Sequence, residues 1–178
     1  MFSNFPQKKK HNDQFALIKQ SLSSNYSGVI YISPSLTTYQ GLNPSFRVFE
    51  FNSTTMELLD IKQYHMNMSE ANISNIPKTK FYYSSKACPY YFLLFFNPYT
   101  SHFFKKNADF GLKDFSPASW ASVFRQIISD DSAFQNYWTS YKTGNPYECT
   151  GECKKEVICR IDGSTPASYW NCIRQNFK

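Results

Sequence analysis

No stretch of this chain is apolar for long enough to cross a bilayer. The longest apolar run, Tyr90 to Phe96, has seven residues, against the ~20 that a membrane helix needs. No leader is expected within the first residues of the chain. Met1 to Gln14 is polar, without the apolar core of a signal peptide. The lysines form no nucleic-acid motif. They fall in short runs, Lys8-Lys9-Lys10, Lys105-Lys106 and Lys154-Lys155, within a formal net charge of +6. Scattered lysines of this kind are solvated surface first. Nucleic acid is therefore set aside as a partner, and an anionic membrane surface is kept as a candidate.

What the chain does have is aromatic weight and marks of the secretory route. Aromatics make up 19% of the 178 residues, which excludes a disordered chain and suits one ordinary core. Four Asn-x-Ser/Thr sequons stand at Asn25, Asn52, Asn67 and Asn72, and are candidate glycosylation sites. Asn43 is not among them, because Pro44 blocks it. Four of the five cysteines fall in the last 30 residues, a usage that belongs to oxidising compartments. A secretory body without a secretory start leads to the expectation that the natural N-terminus lies upstream of Met1.

Residues 1–10 match no pattern. Phe15 to Lys19 reads as a strand that turns through Ser21–Asn25 into Val29-Ile30-Tyr31-Ile32, a short β-branched and aromatic run with the look of a buried strand. A polar loop follows from Ser33 to Pro44, broken by proline, glycine and an Asn-Pro step. Phe46 to Phe51 alternates apolar and polar and predicts a strand with one wet face. Met56 to Tyr64 predicts its hairpin partner across Asn52–Thr55. His65 reads as a surface residue.

Helices are expected towards the C-terminus. Ser116-Pro117 is an N-cap followed by proline at the first helical position. Trp120, Val123, Phe124, Ile127 and Ile128 then form one apolar face. Asp130 or Asp131 caps a second helix, whose face is Phe134, Tyr137, Trp138 and Tyr141, and Gly144 with Pro146 ends it. The pair predicts an αα-hairpin packed on the end of the sheet. Cys149, Cys153, Cys159 and Cys172 can pair in three ways. Their C-x3-C-x5-C-x12-C spacing also offers four thiolates to a zinc knuckle, although the second pair is wide for one.

The segment Ser33 to Phe51, SPSLTTYQGLNPSFRVFEF, resembles the loop and strand that close the metallophosphoesterase core of the acid sphingomyelinase family. The likeness continues through Lys80–Ala87 and from Asp109-Phe110-Gly111-Leu112 to the C-terminus. Residues 88–108, which hold the odd Cys88 and His102, interrupt it. Without them Tyr83 to Trp120 falls into register with the family, so this stretch reads as a translated intron or a lineage insertion. The resemblance implies a calcineurin-like catalytic domain followed by a helical C-terminal domain, and hydrolysis of sphingomyelin or a related phosphodiester at two zinc ions. It sets His11 at the second histidine of the family's Gly-His-Thr-His metal segment, with Lys8-Lys9-Lys10 where Gly-His-Thr belongs. It sets Tyr39 beside the metal centre, on the substrate side. It implies the pairing Cys149–Cys153 and Cys159–Cys172. The family's Asp-x-His, Gly-Asp and Gly-Asn-His motifs are absent, so His11 is the one metal-ligand candidate and no catalytic set is complete.

These readings give an α+β chain. Residues 1–10 are unmatched, 11–64 are the terminal strands and loop of a metallophosphoesterase-type sheet, and 65–178 are a small disulfide-stapled helical domain interrupted at 88–108. The expected function is that of the C-terminal portion of a secreted or lysosomal acid sphingomyelinase-like phosphodiesterase, inactive as this fragment and binding no zinc alone. The alternative is a secreted, non-enzymatic lipid- or protein-binding module. Sequencing the transcript is expected to show Gly-His-Thr codons running into His11 and no codons for 88–108. A message that starts at Met1 and keeps those codons would defeat both expectations.

Overall fold

The computed structural model describes residues 15–19, 25–38, 41–86, 110–144, 147–163 and 165–176. His11, Tyr39, Cys88, His102, Pro146 and the 88–108 stretch lie outside the described residues. The chain is mixed α+β, with antiparallel strands first and helices after. Strands β1 (Phe15–Lys19) and β2 (Tyr26–Tyr31) form one antiparallel pair, with Phe15 opposite Tyr31. Strands β3 (Ser45–Phe51), β4 (Leu58–Met66) and β5 (Thr79–Ser84) form a second antiparallel sheet in the order β3-β4-β5. Helix α1 (Met68–Ser74) bridges β4 and β5, and α2 (Pro117–Ser129), α3 (Asp131–Tyr141), α4 (Glu152–Asp162) and α5 (Pro166–Asn176) follow.

The helical expectations hold in most details. Ser116 caps α2 by accepting the Ser119 amide at 3.2 Å, with Pro117 behind it. The same chemistry recurs at Thr165-Pro166-Ala167-Ser168, where the Thr165 hydroxyl accepts the Ser168 amide at 3.2 Å to start α5. Asp130 serves two helices at once. Its amide closes α2 onto the Gln126 carbonyl, and its carboxylate accepts the Ser132 amide at 2.8 Å to open α3. Phe134, Tyr137, Trp138 and Tyr141 are all buried, as their spacing predicts. Ile128 departs from its expected face and is 45% exposed.

The core forms where α2 packs across the β1–β2 pair and α4 packs along β1. Phe15 and Leu17 are fully buried there, with the Phe15 ring 4.4 Å from that of Trp120. The Trp120 indole N–H donates to the Tyr31 hydroxyl at 3.1 Å, which satisfies a polar atom inside an apolar layer. Asp162, at the end of α4, accepts from both Lys19 at 2.7 Å and Tyr26 at 2.6 Å. Burial and then the Asp162 hydrogen bond push the Tyr26 hydroxyl well above its usual pKa.

Two strand expectations change. The run at Val29–Ile32 is a half-buried member of a two-stranded pair rather than a buried strand, because only one face meets helices; Ile30 is 40% exposed. Strand β3 alternates as predicted, yet Phe46 and Val48 face outward, each 40% exposed, while Arg47 turns inward. The inward arginine is held by buried acceptors described below, and these outweigh the pull of two apolar side chains towards the core.

The four C-terminal cysteines form Cys149–Cys153 and Cys159–Cys172. The first ties the approach of α4 to its first turn, and the second joins α4 to α5. Between those two helices Gly163 leaves no room for a side chain, since a Cβ there would lie 2.8 Å from the Tyr169 amide. Loop-closure entropy scales with the length of chain enclosed. Replacing Cys159 and Cys172 with serine, which opens the separation of 13, should therefore cost about 3 kcal/mol. The same change at Cys149 and Cys153, separation 4, should cost about 2 kcal/mol. Chemical unfolding of the two double variants checks that order.

Candidate functional site

The polar loop between β2 and β3 is built on a floor of buried and part-buried hydrogen bonds. Arg47 supplies three of them. Its guanidinium donates to the Ile32 carbonyl at 2.7 Å, to the Gln63 side-chain oxygen at 2.9 Å and to the Tyr83 hydroxyl at 3.1 Å. Tyr83 in turn donates to the same Gln63 oxygen at 3.0 Å. A planar, permanently charged donor fork suits this task, because it pins two strands and the loop end with one side chain. Burial pushes the Tyr83 hydroxyl upward in pKa, and the neighbouring Arg47 charge pulls it back. The Gln63 side-chain N–H group is buried and has no hydrogen-bond partner among the described residues.

The far end of the loop is bolted to the helical part of the chain. Asn43, only 8% exposed, exchanges three hydrogen bonds with Thr143, itself 1% exposed. The Asn43 amide donates to the Thr143 hydroxyl at 2.8 Å, the Asn43 side chain donates to the Thr143 carbonyl at 2.9 Å, and the Thr143 hydroxyl donates to the Asn43 carbonyl at 3.0 Å. The Asn43 side-chain oxygen also accepts the Met68 amide at 3.0 Å, which brings the start of α1 into the same joint. His65 closes it from the sheet side. Its Nδ1 lies 3.0 Å from the Thr143 carbonyl, and its ring stacks on Tyr82 with centroids 4.4 Å apart. His65 is thus half-buried and engaged, not the surface residue its sequence context implied.

Thr143 takes a left-handed backbone, φ 54°, which a β-branched residue adopts only under constraint. The next residue, Gly144 (φ 78°), completes the turn, and its amide reaches the Thr139 carbonyl at 3.0 Å. A side chain at 144 would press on the His65 ring at 3.4 Å. Lys142 anchors the other side of the turn. It is 1% exposed, and its ammonium has no hydrogen-bond partner among the described residues. It sits over the rings of Tyr147 at 4.4 Å, Trp138 at 4.7 Å and Tyr141 at 5.0 Å, so ring faces take the place of acceptors. The Trp138 indole N–H holds the third wall by donating to the Tyr147 carbonyl at 2.6 Å.

This assembly positions a loop and supplies no metal centre. Among the described residues no group of three or more His, Cys, Asp or Glu side chains comes together. The sequence candidates His11 and Tyr39 lie outside the described residues, although the loop segments flanking Tyr39 are the ones fixed by Arg47 and Asn43. Sequence reasoning gives no role to Asn43, Arg47 and Thr143, and reads His65 as a surface residue. The available signal was Asn43 itself, an asparagine that no sugar could take, at the end of a polar loop.

The family model for the acid sphingomyelin phosphodiesterase C-terminal region matches residues 100–178. The C-terminal part of the chain is thus similar to that family's C-terminal region, and the likeness to sphingomyelin phosphodiesterases extends over most of its length. It is 28% identical to sphingomyelin phosphodiesterase A of Dictyostelium discoideum over 164 residues, covering 91% of this chain and 24% of that protein. It is 28% identical to the sphingomyelin phosphodiesterase of Bos taurus, covering 84% of this chain and 22% of that protein. A cyclic GMP-AMP phosphodiesterase of Rattus norvegicus is 22% identical, over 93% of this chain and 34% of its own length. The chain spans about a quarter of the length of the first two.

Replacing Thr143 with valine keeps the shape of the joint and strands the buried amide of Asn43, while the Asn43 carbonyl keeps the Ser45 hydroxyl at 2.8 Å as its donor. A loss of roughly 2 kcal/mol is expected, read as a lower urea midpoint at unchanged m-value. Alkaline pH should also loosen the seam. Burial, with help from the neighbouring Tyr83, raises the Tyr82 pKa from 10.0 to about 12. Its stabilising contribution is present below pH 10 and is lost as pH rises towards 12, because the unfolded tyrosine ionises first. Melting temperature should fall through that window, and Tyr82→Phe should fall less steeply.

Proposed function

We propose that this chain is the C-terminal portion of a secreted or lysosomal, zinc-dependent phosphodiesterase of the acid sphingomyelinase type, acting on sphingomyelin or a related phosphodiester. On this reading β1 to β5 are the closing strands of a metallophosphoesterase sheet, and α2 to α5 are the disulfide-stapled helical domain. The observation that carries the proposal is the match of 91% of the chain to a sphingomyelin phosphodiesterase. Asn25, Asn52, Asn67 and Asn72 are its glycosylation sites. The floor under the Ser33–Pro44 loop would hold its described ends in place for a substrate-side role of Tyr39.

The described residues do not fit a zinc pair, since no donor cluster forms among them. No step of the chemistry is therefore assigned to them, and their role is to hold the loop. The chain by itself should not hydrolyse phosphodiesters. The second reading, a secreted lipid- or protein-binding module, is favoured by the outward Phe46, Val48 and Phe81, each at least 40% exposed. Assay of the purified chain on sphingomyelin at acid pH, with zinc added, separates the outcomes. No turnover is expected from the chain alone, and turnover from a product extended upstream with the family's metal motifs. Zinc-dependent turnover by the chain alone would overturn the inactive-fragment reading. An extended product that folds, binds zinc and still fails on every phosphodiester would favour the binding module.

A further inference from the structure

The end of the β3-β4-β5 sheet carries a feature that the loop and its floor do not use. A groove of about 440 Å³ runs between α1 and the start of β5, lined by Asn67, Ile73, Ser74, Ile76, Lys78 and Lys80 among others. Its rim is unusually apolar for a surface. Ile73 is 89% exposed and Ile76 is 54% exposed. Its other wall is polar, with Lys80 paired to Glu70 and the Ser74 hydroxyl donating to the Glu70 carbonyl at 2.7 Å. Two bare isoleucines beside hydroxyl and charged groups make an amphipathic trough. Such a trough can take a sugar ring, with its C–H face against aliphatic carbon and its hydroxyls against the polar atoms.

Asn67 both lines the groove and opens the sequon Asn67-Met68-Ser69. It also caps α1, but through one atom only: its side-chain oxygen accepts the Glu70 amide at 3.2 Å. An N-linked sugar would occupy the side-chain nitrogen, so carbohydrate and cap can coexist on the same residue. We propose that the groove between α1 and β5 is the seat of the carbohydrate carried on Asn67, whose first sugars cover Ile73 and Ile76. The proposal rests on the secretory reading above and adds to it where the glycan lies and what it does. The glycan is a structural cover for an apolar rim rather than a free antenna.

The experiment uses the full chain expressed through a eukaryotic secretory pathway. Peptide mapping reads which sequons are occupied, and amide exchange reads residues 68–80. The variant Asn67→Asp removes the sugar and keeps a capping oxygen, so loss of the cap does not confound the result. The glycosylated protein should show slow exchange in α1 and little binding of an apolar dye. N67D should lose that protection and bind the dye, and adding Ile73→Ser and Ile76→Ser to N67D should abolish the dye binding. Trimming the wild-type glycan to its first sugar should retain the protection. Occupied Asn67 with exchange and dye binding unchanged in N67D would overturn the seat. So would glycosylated protein that binds anionic vesicles through Ile73 and Ile76, because the rim would then face a membrane. Sugar on other sequons with none on Asn67 sinks the seat alone, whereas no sugar at any of the four sinks the secretory reading with it.

Discussion

Three hydrogen bonds between Asn43 and Thr143 hold the two halves of this chain in one arrangement. Their partners are 100 residues apart in sequence. The two described ends of the Ser33–Pro44 loop are fixed by this contact on one side and by Arg47 on the other. The contact is buried, so its amides and carbonyls cannot turn to water for partners, and misplacing either side leaves several groups unsatisfied together. That cooperativity makes a polar joint stiff. The left-handed Thr143 backbone is a measure of the constraint, since an unconstrained threonine would leave that conformation.

Around this joint the chain uses two kinds of support. The β1–β2 pair and the helices are held by aromatic packing, in which Phe15, Trp120, Tyr137 and Trp138 are each nearly or fully buried. The β3-β4-β5 sheet instead keeps polar atoms inside, with Arg47, Gln63 and Tyr83 linked to one another, and leaves Phe46 stacked on Tyr64 at its outer face. Lys142 lies at the meeting of the two. Its charge is buried among rings next to the residue that makes the polar joint. The helical region is thus a brace for the loop as well as a cap on the core.

Local chemistry was legible in the sequence. Ser116-Pro117 and Asp130 announce helix ends because a cap involves neighbours two or three residues apart, and the stripe Phe134, Tyr137, Trp138, Tyr141 announces a buried face because helical periodicity is short. The repeat of Ser-Pro-Ala-Ser as Thr165-Pro166-Ala167-Ser168 was equally legible and was passed over. The disulfide pairing came from family likeness, since spacing leaves three choices. What periodicity cannot supply is the identity of a distant partner. Alternation in β3 was read, but which face is wet depends on Gln63, Tyr83 and the Ile32 carbonyl meeting Arg47. His65 is drawn half under cover by Thr143, which arrives from the far end of the chain. The site candidates His11 and Tyr39 rest on resemblance alone, as they lie outside the described residues.

Asp130 ends one helix and begins the next with no residue to spare. A joint of that kind has no slack in which chain length can vary. One added residue would turn α3 by about 100° about its own axis relative to α2. Phe134, Tyr137, Trp138 and Tyr141 would leave the core together, and with them would go the direction in which the Lys142–Gly144 turn meets Asn43. Among relatives of this chain, insertions and deletions should therefore gather elsewhere and leave this corner at constant length.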